Sequence, residues 1–144
     1  LNADIRFATP DSVFAIPAAK LGLGYDYAGL DVLTSVVGPS RAKDIMLSAR
    51  FLDAQEAMQM GLVNFVVEGS ELEQTVSSYA QMISGNAPLT VKAAKAAINE
   101  VVKDESIRDL DRISEMIDEC FNSEDYVEGR SAFMAKRKPV FNGR

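Results

Sequence analysis

Residues 13–29 read VFAIPAAKLGLGYDYAG, and they constrain the fold more than any other stretch of the chain. Val13-Phe14-Ala15-Ile16 is a short apolar run that suits a buried strand. Pro17 ends it, because proline cannot donate to a sheet ladder. A small-residue patch, Ala18-Ala19, leads into Lys20-Leu21-Gly22-Leu23-Gly24, where two glycines permit tight turning and close backbone approach. Beyond Tyr25-Asp26-Tyr27-Ala28-Gly29 the apolar residues recur at helical spacing. A strand, a glycine loop and a helix start often frame a ligand pocket; a plain strand-to-helix connection is the other reading.

The flanking sequence points to an α/β layer rather than a sandwich. Alternation over residues 4–9 (Ile5 and Phe7 against Arg6 and Ala8) predicts a strand, and Thr9-Pro10-Asp11-Ser12 is turn chemistry. Residues 28–37 predict a helix with Leu30, Leu33, Val36 and Val37 on one face and Gly38 just past its end. Pro39 restarts a helix that turns Ala42, Ile45, Met46 and Ala49 inward. Asp53 and Glu56 form a capping box, with the short helix after them ending at Gly61, and residues 62–67 predict a strand or extended core segment. Ser70 and Glu73 make a second box, opening a helix with Leu72, Val76, Tyr79, Ala80 and Ile83 on its apolar side.

Residues 84–88, Ser-Gly-Asn-Ala-Pro, are the clearest break, and nothing beyond them resembles a strand. Helices are expected over 89–102, over a stripe of Ile107, Leu110, Ile113, Ile117, Cys120 and Phe121, and over 124–136 behind an Asn122-Ser123 cap. A domain boundary near Gly85 follows.

Composition excludes several classes. A net charge of −6 disfavours general binding to nucleic acid or anionic membranes. With no histidine, no part of this chain supplies a His general base or a His metal ligand. The lone Cys120 rules out an internal disulfide, fits a reducing compartment, and reads as a small core residue on its helix stripe. No pattern of metal ligands appears, so no metal is expected. No apolar run reaches the length of a membrane span.

The block Phe14-x-x-Pro17-x-x-Lys20-Leu21-Gly22-Leu23, preceded by Ala3-Asp4-Ile5-Arg6-Phe7-Ala8, resembles the enoyl-CoA hydratase/isomerase (crotonase) family. So does the block from Ala49-Arg50-Phe51-Leu52-Asp53-Ala54 to Gly61-Leu62-Val63-Asn64, and so does the ending from Phe133 to Phe141. The three blocks lie in register over essentially the whole chain. The resemblance implies the C-terminal portion of such a protein. Residues 1–84 would be the last part of a ββα spiral core, and residues 85–144 a helical domain that builds a homo-trimer, often doubled to a hexamer. An ordinary intrachain helical subdomain overlaps with that reading. The substrate implied is an acyl-CoA thioester, with no separate cofactor. The oxyanion-hole donors and the first of two hydratase carboxylates would lie upstream of residue 1. A cytoplasmic enzyme is expected, the mitochondrial matrix being the other setting the family allows.

Residue by residue, the resemblance maps the second hydratase carboxylate onto Ala18, whose methyl group transfers no proton. Two-carboxylate hydration is therefore in doubt. Isomerase or other crotonase chemistry through a stabilised thioester enolate is favoured, and an acyl-CoA-binding or interaction protein without chemistry is the alternative. Asp26, the only carboxylate of the loop, matches an aspartate that shuttles protons in some dienoyl-CoA isomerases of the family; a plain helix cap is the competing role. Ala18, Leu23, Gly24, Tyr25 and Tyr27 would line the acyl pocket, although the tyrosines fit ordinary packing equally well. From Arg130 onward there are five basic residues and no acidic one. Phe133 and Lys136 match the pair that helps bind the nucleotide end of coenzyme A, with Lys136-Arg137-Lys138 able to hold phosphates; a solvated basic tail is the other reading.

Overall fold

The computed structural model describes residues Leu1–Arg144 as two compact units, Leu1–Val76 and Ser77–Arg144. The three expected strands form, but each is only two residues long: β1 (Phe7–Ala8), β2 (Val13–Phe14) and β4 (Phe65–Val66); a fourth, β3 (Leu52–Asp53), was not expected from the sequence. β1 pairs in parallel with β4, and β2 pairs antiparallel with β3. Each sheet has two strands, so every strand has one neighbour, and pairing cannot extend along the apolar runs that the sequence offers.

Helices carry the rest of the first unit. Residues 18–21, which sequence reading placed in a loop, form a one-turn helix α1 (Ala18–Leu21). Gly22 closes it at φ 66°, a left-handed value that glycine adopts freely. α2 (Tyr27–Val37) and α3 (Pro39–Ser48) flank Gly38, whose φ of 79° and ψ of 160° belong to a region open essentially to glycine alone. Pro39 at the first position of α3 gives up an N–H that would have no helical partner anyway. Leu33, Val37, Ala42, Ile45 and Leu52 bury together, and Phe14 and Leu62 pack against both this cluster and a second one of Ala8, Ala57 and Val63.

Polar clamps tie the connections. The Arg6 guanidinium donates to the Leu62 carbonyl at 2.6 Å and the Ala3 carbonyl at 2.8 Å, which binds the chain start to the segment entering β4. Arg50 follows a left-handed Ala49 (φ 46°) and bridges Asp44 at 2.8 Å and Glu56 at 2.9 Å. The Asp53 side chain accepts from the Glu56 N–H at 2.8 Å and caps α4 (Ala54–Gln59), as expected, but Glu56 reaches Arg50 instead of closing the box. The second box does not form as read. Ser70 sits inside a single 3-10 turn, Gly69–Glu71, and α5 (Leu72–Ser84) starts after it.

In the second unit, α6 (Pro88–Val101), α7 (Leu110–Phe121) and α8 (Glu124–Met134) follow the expected order. Ile107 lies in a 3-10 turn before α7, two-thirds exposed, rather than on the helix stripe. Glu100 joins α6 to α7: it accepts from Lys103 Nζ at 2.6 Å and from the Asp109 N–H at 3.0 Å. Asp109 and Ser123 cap α7 and α8 through the Arg112 and Tyr126 amides.

Candidate functional site

Two regions hold the residues singled out from sequence, one in each unit. In the first, Ala18 opens α1 and is 5% exposed, its methyl group packed inward. The Leu23 N–H donates to the Ala18 carbonyl at 3.0 Å, which folds the loop back over α1. Asp26 caps α2, with Oδ1 accepting from the Gly29 N–H at 2.8 Å. Tyr25 lies over the same turn. A Cβ on Gly29 would stand 2.7 Å from Tyr25 Cε1, so glycine there lets the ring approach the helix. Ala18 and Leu23 are thus joined by one hydrogen bond, and Tyr25 and Asp26 by their shared contact with Gly29.

The side chains of this loop face outward. Leu23 is 62% exposed, Tyr27 84% and Tyr25 44%, and an added Cβ at Gly22 or Gly24 would meet nothing within 4 Å. This short loop therefore leaves three large side chains open to solvent. The two most prominent cavities, one in each unit, are lined by other residues. One, of about 250 Å³, lies between α2 and α3 and is lined by Leu30, Thr34, Ala42 and Met46.

The second region is the end of α8. Phe133, in its last turn, is 83% exposed. Lys136 follows with φ 52°, and its N–H donates to the Phe133 carbonyl at 3.2 Å. The Arg137 N–H returns to the Ala132 carbonyl at 3.0 Å. These two bonds are a Schellman motif, with lysine where glycine is usual. Of the three basic residues expected to hold phosphates together, one is engaged in an ion pair within the chain. Arg137 donates from both terminal nitrogens to Glu128, at 2.6 and 2.7 Å. That guanidinium and the Val140 amide pull the Glu128 carboxyl down to about 2.

Beside this corner lies an open apolar groove of about 720 Å³. Ala93, Ala97, Cys120, Tyr126, Phe133 and Phe141 contribute to its walls. Phe121 and Tyr126 meet edge to face at 5.3 Å, and the Arg130 guanidinium sits 5.6 Å from the Tyr126 ring. Phe141 packs on α8 at Gly129, where a Cβ would approach its ring to 3.5 Å. Cys120 is half-buried on this wall rather than in a sealed core.

Sequence reasoning missed the carboxylates of α8. Asp125, 3% exposed, accepts from the Asn142 N–H at 2.7 Å and the Gly143 N–H at 2.8 Å. Glu128 accepts from the Val140 N–H at 2.9 Å. Their spacing of three on one helix face was visible in the sequence, but their partners lie 9 to 18 residues away across a chain reversal.

The family model described as enoyl-CoA hydratase/isomerase matches residues 1–144. The short-chain-enoyl-CoA hydratase of Clostridium acetobutylicum is 38% identical over 138 residues, covering 96% of this chain and 53% of that protein. The methylmalonyl-CoA decarboxylase of Escherichia coli is 33% identical over 145 residues, covering 99% of this chain and 56% of its own length. Among solved structures, an enoyl-CoA hydratase/carnithine racemase from Magnetospirillum magneticum superposes with a TM-score of 0.84 at 35% identity, over 98% of this chain and 52% of its own. The chain spans about half the length of the curated relatives it matches.

Proposed function

The chain belongs to the enoyl-CoA hydratase/isomerase family, and from that premise we propose that it is the C-terminal part of an acyl-CoA-processing enzyme. The observation that carries the reading is the corner at Phe133 and Lys136. An exposed aromatic ring and a cation are held one hydrogen-bonded turn apart, at the end of an otherwise acidic chain. An adenine would stack on the ring, and the ammonium group would meet the phosphates of coenzyme A. The exposed loop of Leu23, Gly24, Tyr25 and Tyr27 would form one wall of the acyl site, the thioester being the substrate and no separate cofactor being used.

The reaction proposed is proton movement on a thioester enolate rather than standard hydration. Adding water across a double bond calls for one carboxylate to take a proton from water and another to deliver one. Ala18, whose buried methyl group stands at the second of those positions, supplies neither. Asp26 is the proton carrier proposed. One of its oxygens is engaged in capping α2, which leaves the other for substrate. In the intact enzyme, Asp26→Asn should cut turnover of dienoyl- or 3-enoyl-CoA at least ~10-fold, as the loss of a general acid–base group does. A change within about twofold returns Asp26 to capping alone. The buried methyl at Ala18 also favours a second reading, a protein that binds acyl-CoA without chemistry. Binding with no turnover on crotonyl-, dienoyl- and 3-enoyl-CoA would select it.

The assembly proposed is a homo-trimer or hexamer, supported by apolar side chains left open on the last helices, among them Leu110, Ile117, Phe121 and Val127. Sedimentation of the intact protein as a monomer would overturn this. The compartment proposed is the cytoplasm. No helix is long and apolar enough to cross a membrane.

A further inference from the structure

A lysine on a free tail is a poor phosphate ligand, because ordering the tail costs conformational entropy at the moment of binding. Here the tail is ordered in advance. Glu128 takes both terminal nitrogens of Arg137 and the amide of Val140. One turn earlier, the buried Asp125 takes the amides of Asn142 and Gly143, while its own N–H donates to the Arg144 carbonyl at 3.2 Å. Two carboxylates on one face of α8 therefore hold residues 137–143 against the helix that precedes them. The residue at the bend is Lys136, at φ 52°, a conformation that a non-glycine residue keeps only when its surroundings impose it.

We propose that Glu128 is a positioning residue for anion recognition. By latching Arg137 and Val140 it sets the bend that presents Lys136 and Phe133 to the phosphates and base of a nucleotide-bearing ligand. The proposal rests on the reading of Phe133 and Lys136 given above. Arg137 serves as the fastener of the site rather than as a phosphate ligand. The opposing account is simple electrostatics, and it predicts the opposite sign. A carboxylate near an anion site repels the anion, so removing its charge should strengthen binding.

Coenzyme A binding to the intact protein, measured by titration calorimetry at about 0.1 M salt, separates these. Glu128→Gln is expected to weaken binding roughly three- to tenfold, a coupling typical of groups in one hydrogen-bonded network. Trypsin should cut faster after Lys136 or Arg137 in that variant. Arg137→Lys keeps the charge but loses the two-pronged geometry, so it should weaken binding by a similar factor, and the double variant should lose little more. If Glu128→Gln does not fold, Arg137→Lys carries the same test from the more exposed side. Glu128→Gln or Arg137→Lys binding as tightly as the wild type, or more tightly, while Lys136→Ala binds more weakly, overturns the latch and leaves the coenzyme A site standing. A wild-type chain that does not bind coenzyme A, or a Lys136→Ala variant that binds it unchanged, overturns the site and the latch with it.

Discussion

The two units of this chain are held together in different ways. The first buries large aliphatic side chains: Leu33, Ile45 and Leu52 are sealed from solvent, with Phe14, Ile16, Met46 and Met60 packed around them. The second buries little of that kind. Its covered residues are Ala93, Met116 and Ala132 together with Glu100, Ser123 and Asp125, while Leu110, Phe121 and Phe133 remain open. Where the first unit relies on removing apolar surface from water, the second relies on carboxylates and a hydroxyl that satisfy helix ends and reversals. Removing apolar surface stabilises a unit by itself and is indifferent to pH. Hydrogen-bonded carboxylates fix the course of the backbone, contribute less, and depend on their charge.

The largest test of this contrast is a cavity in the first unit. Leu33→Ala should lower its unfolding free energy by about 2–5 kcal/mol, read by chemical denaturation, with the amides of α7 and α8 keeping their exchange protection. Equal loss of protection in both units would show that they do not differ as described. Acid is the complementary probe. The Glu128 carboxyl is held near 2 in the folded chain against an ordinary 4.5, and Glu100 is lowered by Lys103 and the Asp109 amide. A depressed carboxyl binds its proton more readily in the unfolded state. Its stabilising effect is therefore complete above about pH 4.5 and lost as pH falls toward 2. The Val140 amide should lose protection across that window before the amides of α2 and α3 do. Asp44, lowered by Arg50, titrates in the same direction in the first unit, yet the buried aliphatic cluster beneath it should survive. The reverse order of loss would contradict the comparison. The smallest effect concerns Lys136. Lys136→Gly relieves a left-handed lysine and should leave stability unchanged or raise it by up to about 1 kcal/mol, while coenzyme A binding falls. A drop in the melting temperature would mean that the lysine stem packs in a way its exposure does not suggest.

Much of the first unit was legible because local chemistry and tertiary packing agree there. Gly38 followed by Pro39 marks one helix end and the next helix start, and the apolar spacing of Leu33, Val37, Ala42 and Ile45 is the core. Caps were legible wherever one polar side chain serves an amide three residues on, as at Asp26, Asp53 and Ser123. The strands were overestimated. The runs at 4–9 and 62–67 have suitable side chains, but pairing depends on a neighbouring strand, and each run finds one over only two residues. The helix α1 was missed because Pro17 and two glycines bracket only four residues, too few for a periodic signal. Ser70 failed as a cap because the chain tightens into a 3-10 turn around it.

The candidate sites divide in the same way. Asp26, Ala18 and the pair of Phe133 and Lys136 were singled out by carrying the family resemblance residue by residue onto this sequence. That Asp26 already spends one oxygen on a helix cap, that Ala18 turns its methyl group inward, and that Arg137 is bound to Glu128 came only from the folded structure. The order of helices, the glycine stops and the acidic balance are properties of neighbouring residues, so the linear chain determined them. Which charges are free to meet a ligand depends on pairs brought together across a chain reversal, and only the three-dimensional arrangement decided that.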